Sequence, residues 1–185
     1  NDDAPRKLIV VHLLGAHPDY KQRSPSHMRP FDAAQDAVEV QMVSEGRPLW
    51  LRELRQTYDA AIRYHDGVVA ETARLTRKFT PEGGQGAWMY LSDHGQEVGH
   101  SMDHAGHSSA TEAGYRIPVL LWRSSESSYP IATKMPFRAD WSGWILADLM
   151  GLEWDSMLPE KNFLDARFRW VPPDLPVKKL TRFDR

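Results

Sequence analysis

The stretch Ala87-Trp88-Met89-Tyr90-Leu91-Ser92-Asp93-His94-Gly95 decides the fold. A short run rich in apolar and aromatic side chains, set between Gly83, Gly84 and Gly86 on one side and Gly95 on the other, reads as a buried strand at residues 87–92 with a turn at each end. Asp93 and His94 follow at its carboxyl end, the side on which open α/β sheets hold their ligands. Neighbouring residues on a strand face opposite ways, so these two share a ligand only where the chain has begun to turn, and Gly95 permits that turn. Zinc accepts carboxylate oxygen and imidazole nitrogen at about 2.0 to 2.2 Å and takes three or four such donors. Four of the eight histidines, His94, His100, His104 and His107, lie within 14 residues. The pattern points to a metal site that uses Asp93 and His94.

Working outward, residues 7–14, Lys-Leu-Ile-Val-Val-His-Leu-Leu, read as a fully buried strand of the parallel type, with His12 a hydrogen-bonded core residue. Residues 15–31 form a loop, and 32–44 are open between helix and ordered loop. A long helix is predicted over 48–79, with Leu51, Leu54, Tyr58, Ile62, Val69, Leu75 and Phe79 as its core face and Pro48 in its first turn. A strand at 117–122 follows, then a helix over 140–150 stopped by Gly151. Pro159, Pro172, Pro173 and Pro176 argue for an extended tail.

Strand, helix, strand is a βαβ unit, whose crossover makes the two strands parallel and right-handed. The ends of 7–14 and 87–92 then face the same way. This sets Gly15-Ala16-His17 beside Asp93 and His94, and His107 can return to the same crevice before strand 117–122. His100 and His104 read as residues of a polar loop, and His27 and His65 as structural or solvent-facing. Trp141, Trp144 and Trp154 read as amphipathic packing rather than a lipid-facing surface.

Composition bounds the alternatives. A chain of 185 residues, 41% apolar and 26% charged, can hold one domain with a core. The net charge of −2 and the lack of a basic stripe exclude nucleic acid as a partner. The longest apolar run falls far short of the roughly 20 residues of a membrane helix. With no cysteine, any metal must be held by His, Asp and Glu.

Several motifs occur in a fixed order: VVHLLGAHPDYKQRSP at 10–25, YDAAIRYHDGVV at 58–69, YLSDHGQEVGH at 90–100, Gly106-His107 with a following YRIPVLLW, and ADLMG at 147–151. In them the chain resembles bacterial phosphoethanolamine transferases of the alkaline phosphatase and sulfatase superfamily, over nearly its whole length. The resemblance implies an α/β, alkaline-phosphatase-like sandwich with a mainly parallel sheet between helices, present as a partial domain. Residues 1–185 would then be the C-terminal part of a sulfatase-like catalytic domain.

The same resemblance implies zinc as cofactor, with Asp93 and His94 as metal ligands. His17 and His107 become catalytic residues that bind the phosphoryl substrate or a second zinc. The implied reaction moves phosphoethanolamine from a phospholipid donor to a lipid A, core-sugar or other glycan acceptor through a threonine phosphoenzyme. That threonine and a glutamate ligand are expected upstream, together with a membrane region. The 185 residues alone are therefore expected to be soluble and inactive, with an open sheet edge prone to association, while the whole enzyme works at the periplasmic face of the bacterial inner membrane. A sulfatase or phosphodiesterase of the same superfamily is the nearest alternative, and a non-catalytic metal- or glycan-binding fragment a further one. Two departures stand out. The family usually has Gly-Ser-His at Gly15-Ala16-His17, and Gly-Glu-Glu or Gly-Glu-Ser at Gly95-Gln96-Glu97.

Overall fold

A computed structural model describes Ala4 and residues 6–28, 36–124 and 136–177. Its spine is α2 (Leu49–Phe79), preceded by the short α1 (Ala37–Ser44). Asp36 caps α1 by accepting from the Val38 N–H at 2.9 Å, which resolves the ambiguous stretch in favour of a helix from Ala37 onward. The part of that stretch before Asp36 lies outside the described residues. Pro48 stands at the N-cap of α2, where its missing N–H costs nothing, and Arg77 and Lys78 oppose the dipole at the other end.

Two antiparallel ladders follow: β1 (Ala87–Leu91) with β4 (Val119–Arg123), and β2 (Glu97–Val98) with β3 (Ala105–Gly106). The sheet expected to be mainly parallel is thus antiparallel among the described residues. On β1, Trp88 and Tyr90 share a face by the two-residue period of a strand. Both reach α2: the Trp88 indole N–H donates to Thr72 Oγ1 at 3.0 Å, and the Tyr90 hydroxyl meets His65 Nε2 at 3.1 Å. The later strand residue meets the earlier helix residue, so α2 runs back along β1 as a crossover helix does.

Residues 7–14 overturn the expectation of a buried parallel strand. They join no ladder among the described residues, and Ile9 and Val10 are 81% and 79% exposed. His12 is exposed with them, not a core residue. A cleft of about 900 Å³, lined by this segment on one side and by Met89, Tyr90 and Leu91 on the other, holds it apart from β1. Without a neighbour at strand spacing its N–H and C=O groups have no ladder to join.

The core lies under the middle of α2. Leu51, Ala61 and Val98 are fully buried, and Tyr20 packs with Ala61 and Val98. Farther along the expected helix face Val69 is buried, whereas Ile62, Leu75 and Phe79 are exposed. Arg55 binds α2 to β2, with Nε donating to both Asp59 oxygens at 3.0 and 3.2 Å and Nη1 to the Val98 carbonyl at 3.4 Å.

Beyond β4, α3 (Ser142–Leu149) ends as expected at Gly151, whose N–H reaches the Asp148 carbonyl while Leu152 N–H reaches that of Ala147, a Schellman closure. Trp141 is buried against Phe168 and Trp170, and Trp144 stacks on Trp154 at 5.5 Å, so the tryptophans serve packing. The tail is drawn onto that cluster, and no helix among the described residues is long and apolar enough to cross a membrane.

Candidate metal centre

At the end of β1 the backbone turns and Asp93 faces His94. Asp93 Oδ1 accepts the His94 N–H at 3.0 Å, which leaves Oδ2 free, 3.8 Å from His94 Nε2. His94 Nδ1 lies 2.9 Å from the Gly95 carbonyl. Donating there, the ring keeps its lone pair on Nε2, the nitrogen that faces the carboxylate. Two donors on one tetrahedral zinc at the usual bond lengths stand roughly 3.4 Å apart, so the pair is close to a shared-ion spacing. The Asp93 side chain is 86% exposed and open to a ligand.

Gly95 acts differently from expectation. Its φ is not positive; instead a methyl group there would sit 2.0 Å from the Ala113 carbonyl oxygen and 2.6 Å from that of Arg116. Its own N–H donates to the Gly114 carbonyl at 2.9 Å. Only glycine admits so close a backbone approach.

His107 arrives by way of the β2–β3 hairpin, in which Glu97 pairs with Gly106 and Val98 with Ala105. Its ring meets that of His94 edge to face, with centroids 4.3 Å apart. Glu97 is buried completely: Oε1 accepts the Ser101 N–H at 3.0 Å, and Oε2 has no hydrogen-bond partner among the described residues. His104 Nε2 lies 3.1 Å from the His107 carbonyl and so braces the loop. Nothing in the sequence pattern singled out Glu97 or this bracing role.

His17 reaches the cleft from the other wall. Its N–H closes a turn onto the Leu14 carbonyl at 3.3 Å, with Gly15 at φ +54°, a left-handed angle suited to glycine. Arg23 fixes the turn from behind, donating to the carbonyls of His17 at 3.3 Å and Pro18 at 3.1 Å. His17 Nδ1 lies 3.4 Å from the Pro18 carbonyl. His17, Asp93, His94 and His100 all line the one cleft. Burial, then Arg55, pulls the His100 pKa below its ordinary value, although part of its surface reaches solvent.

Gln96 accepts a long hydrogen bond from the Tyr20 hydroxyl at 3.4 Å, and that phenol is pushed up to about 12, first by burial and then by Tyr58. Among the described residues no three His, Asp or Glu side chains converge as a complete metal cage. Asp93 and His94 form a pair, with His107 against the second of them and His17 across the cleft.

The fold is of the alkaline-phosphatase-like type. The crystal structure of the C-terminal periplasmic domain of EptC from Escherichia coli superposes with a TM-score of 0.79 at 31% identity, covering 92% of this chain and 49% of that one. The same domain in complex with zinc gives 0.76 and 48%. The sulfatase family profile matches residues 1–136, and the chain belongs to that family. Among curated relatives it is 33% identical over 200 residues to phosphoethanolamine transferase EptC of Escherichia coli K12, covering 100% of this chain and 33% of that protein. Against phosphoethanolamine transferase CptA of Salmonella typhimurium LT2 it is 32% identical over 197 residues, covering 99% and 32%. The chain thus spans about a third of the length of these relatives and about half of the solved periplasmic domain.

Proposed function

We propose that the protein is a zinc-dependent phosphoethanolamine transferase. It moves the group from a phospholipid donor to a lipid A, core-sugar or other glycan acceptor at the periplasmic face of the inner membrane. The observation that carries this reading is the facing of Asp93 Oδ2 and His94 Nε2 across 3.8 Å in a cleft that His17 also lines. On this reading Asp93 and His94 are two of the zinc donors, and a threonine is the nucleophile that carries the phosphoryl group. When bound, zinc polarises a phosphoryl oxygen and lowers the pKa of a coordinated hydroxyl.

The rest is done by side chains of this chain. Asp93 presents one oxygen because its other is engaged by the His94 N–H, and His94 presents Nε2 because Nδ1 faces a carbonyl. His17, from its wall of the cleft, and His107, beside His94, are the side chains that hold the phosphoryl oxygens on this reading, and an imidazole so placed can pass a proton to the leaving alkoxide.

The test uses the protein at its natural length, with phosphatidylethanolamine as donor and lipid A as acceptor. Mass spectrometry should find lipid A heavier by one phosphoethanolamine group, with product lost on chelation and restored by zinc. Release of the group to water alone, in the presence of acceptor, would replace the transferase reading with a hydrolase.

A further inference from the structure

One imidazole touches both walls of the cleft. His65 lies on the face of α2 that also carries Tyr58 and Ile62, at helical spacings of seven and three residues, and all three line the cleft. On one side its Nε2 meets the Tyr90 hydroxyl at 3.1 Å, three residues before Asp93. On the other its ring lies over Gly15, two residues before His17: a methyl group at Gly15 would come within 3.3 Å of Cε1 and 3.4 Å of Nε2. The ring therefore spans the gap between the strand that delivers Asp93 and His94 and the turn that delivers His17.

We infer that His65 is a positioning residue, which sets the height of the Gly15–His17 turn above the Asp93–His94 pair by packing on Gly15 while anchored to the Tyr90 hydroxyl. The inference rests on the functional reading above only for its kinetic consequence. An apolar side chain could fill the same space, but it would have no bond to Tyr90 and so no fixed orientation. Burial keeps the ring in its neutral form, since it lowers the His65 pKa, and burial likewise raises that of Tyr90, so the bond joins two uncharged groups. The flat ring fits because Gly15 has no side chain; a bulkier residue at either position would lift the turn.

The experiment uses the protein at its natural length and two readouts. Two-bond proton–nitrogen spectra of the histidine rings report the surroundings of His17 whether or not the protein is active. H65A and Y90F should each displace the His17 ring signals, the double variant no further than either alone, and H65Q, which keeps a polar atom at the Nε2 position, should restore them. Unmoved His17 signals in H65A, or additive shifts in the double variant, would overturn the inference. In transfer assays, H65A and Y90F should lower kcat roughly 10- to 100-fold with KM and bound zinc unchanged, the scale of a reacting group set out of place. Y90F keeps the ring and removes one hydroxyl, so it tests the anchor even if H65A fails to fold. Shifted His17 signals in a protein with no transferase activity would leave the positioning role standing and sink the functional reading instead.

Discussion

Two apolar segments face each other across the cleft, and they fare differently. Residues 8–14 are aliphatic but for His12, yet Leu8, Ile9, Val10, Val11 and Leu14 are all exposed. Ala87–Leu91 is no more apolar, and four of its five residues are partly buried, in a ladder with β4 and bonded to α2 through Trp88 and Tyr90. Hydrophobicity marks a segment as fit for burial; a partner for its backbone groups decides whether it becomes a strand. The candidate site residues inherit the contrast, since Asp93 and His94 follow the paired segment and His17 the unpaired one.

The largest effect expected from this contrast is at the metal. Asp93→Ala or His94→Ala in the protein at its natural length should abolish bound zinc and lower transfer by about 10³ or more, as loss of a metal-activated group does. His17→Ala should retain zinc and lower transfer by roughly 10²-fold, within the range of acid–base and phosphate-holding groups. Elemental analysis beside the transfer assay separates the two: undiminished zinc in both strand-end variants would remove their assignment, and zinc loss in His17→Ala would erase the distinction between the walls.

A smaller effect concerns stability. Met89→Ala, in the paired segment, should cost about 1 to 2 kcal/mol, whereas Val10→Ala, in the open one, should fall within about 0.5 kcal/mol of the parent, as surface changes do. Denaturant midpoints of the 185-residue chain measure both. Equal costs would mean that residues 8–14 find a partner in solution, and light scattering at high concentration would show whether that partner is a second copy.

The smallest expected effect is with pH. Burial lowers the pKa of His65 and of His100 below that of a free imidazole, so the unfolded chain takes up protons that the folded one refuses. Stability should decline as pH falls through about 6.5 and level off below the folded pKa values. Asp59 works the other way, because burial raises its pKa and protonation relieves that cost, but only at more acid pH. Melting temperatures between pH 7.5 and 5 should fall for the parent and fall less for H65Q and for H100N; parallel curves would remove both histidines as the cause.

Much of this was legible in the sequence where the signal is local. Leu49–Phe79 has helical periodicity, Ala87–Leu91 has flanking glycines, and α3 stops at Gly151, so each was read to within a residue or two. His17 lines the same cleft as Asp93 and His94, as expected, although the parallel strand pairing from which that placement was argued is absent among the described residues. The exposure of residues 8–14 was not legible, because it depends on what lies beside them. The return of His107 to the crevice of His94 was anticipated, but not the hairpin that carries it, which has only two residues on each side, too few to show a period. Glu97 escaped for a simpler reason: a carboxylate without an apolar pattern around it gives no sign of complete burial.

Gly95 carries a further consequence. Leu91 is paired with Val119, and four residues on Gly95 donates to Gly114, on the stretch that leads into the same strand. The Asp93–His94 corner is therefore clamped at both ends to one support, and can shift only if β4 and its approach shift with it. Residues 8–14 join no ladder among the described residues, and the turn that follows them is held by side chains, His65 over Gly15 and Arg23 on the His17 and Pro18 carbonyls. The cleft is built like a vice whose two jaws are held by different means, the Asp93–His94 corner by backbone bonds and the His17 turn by these two side chains.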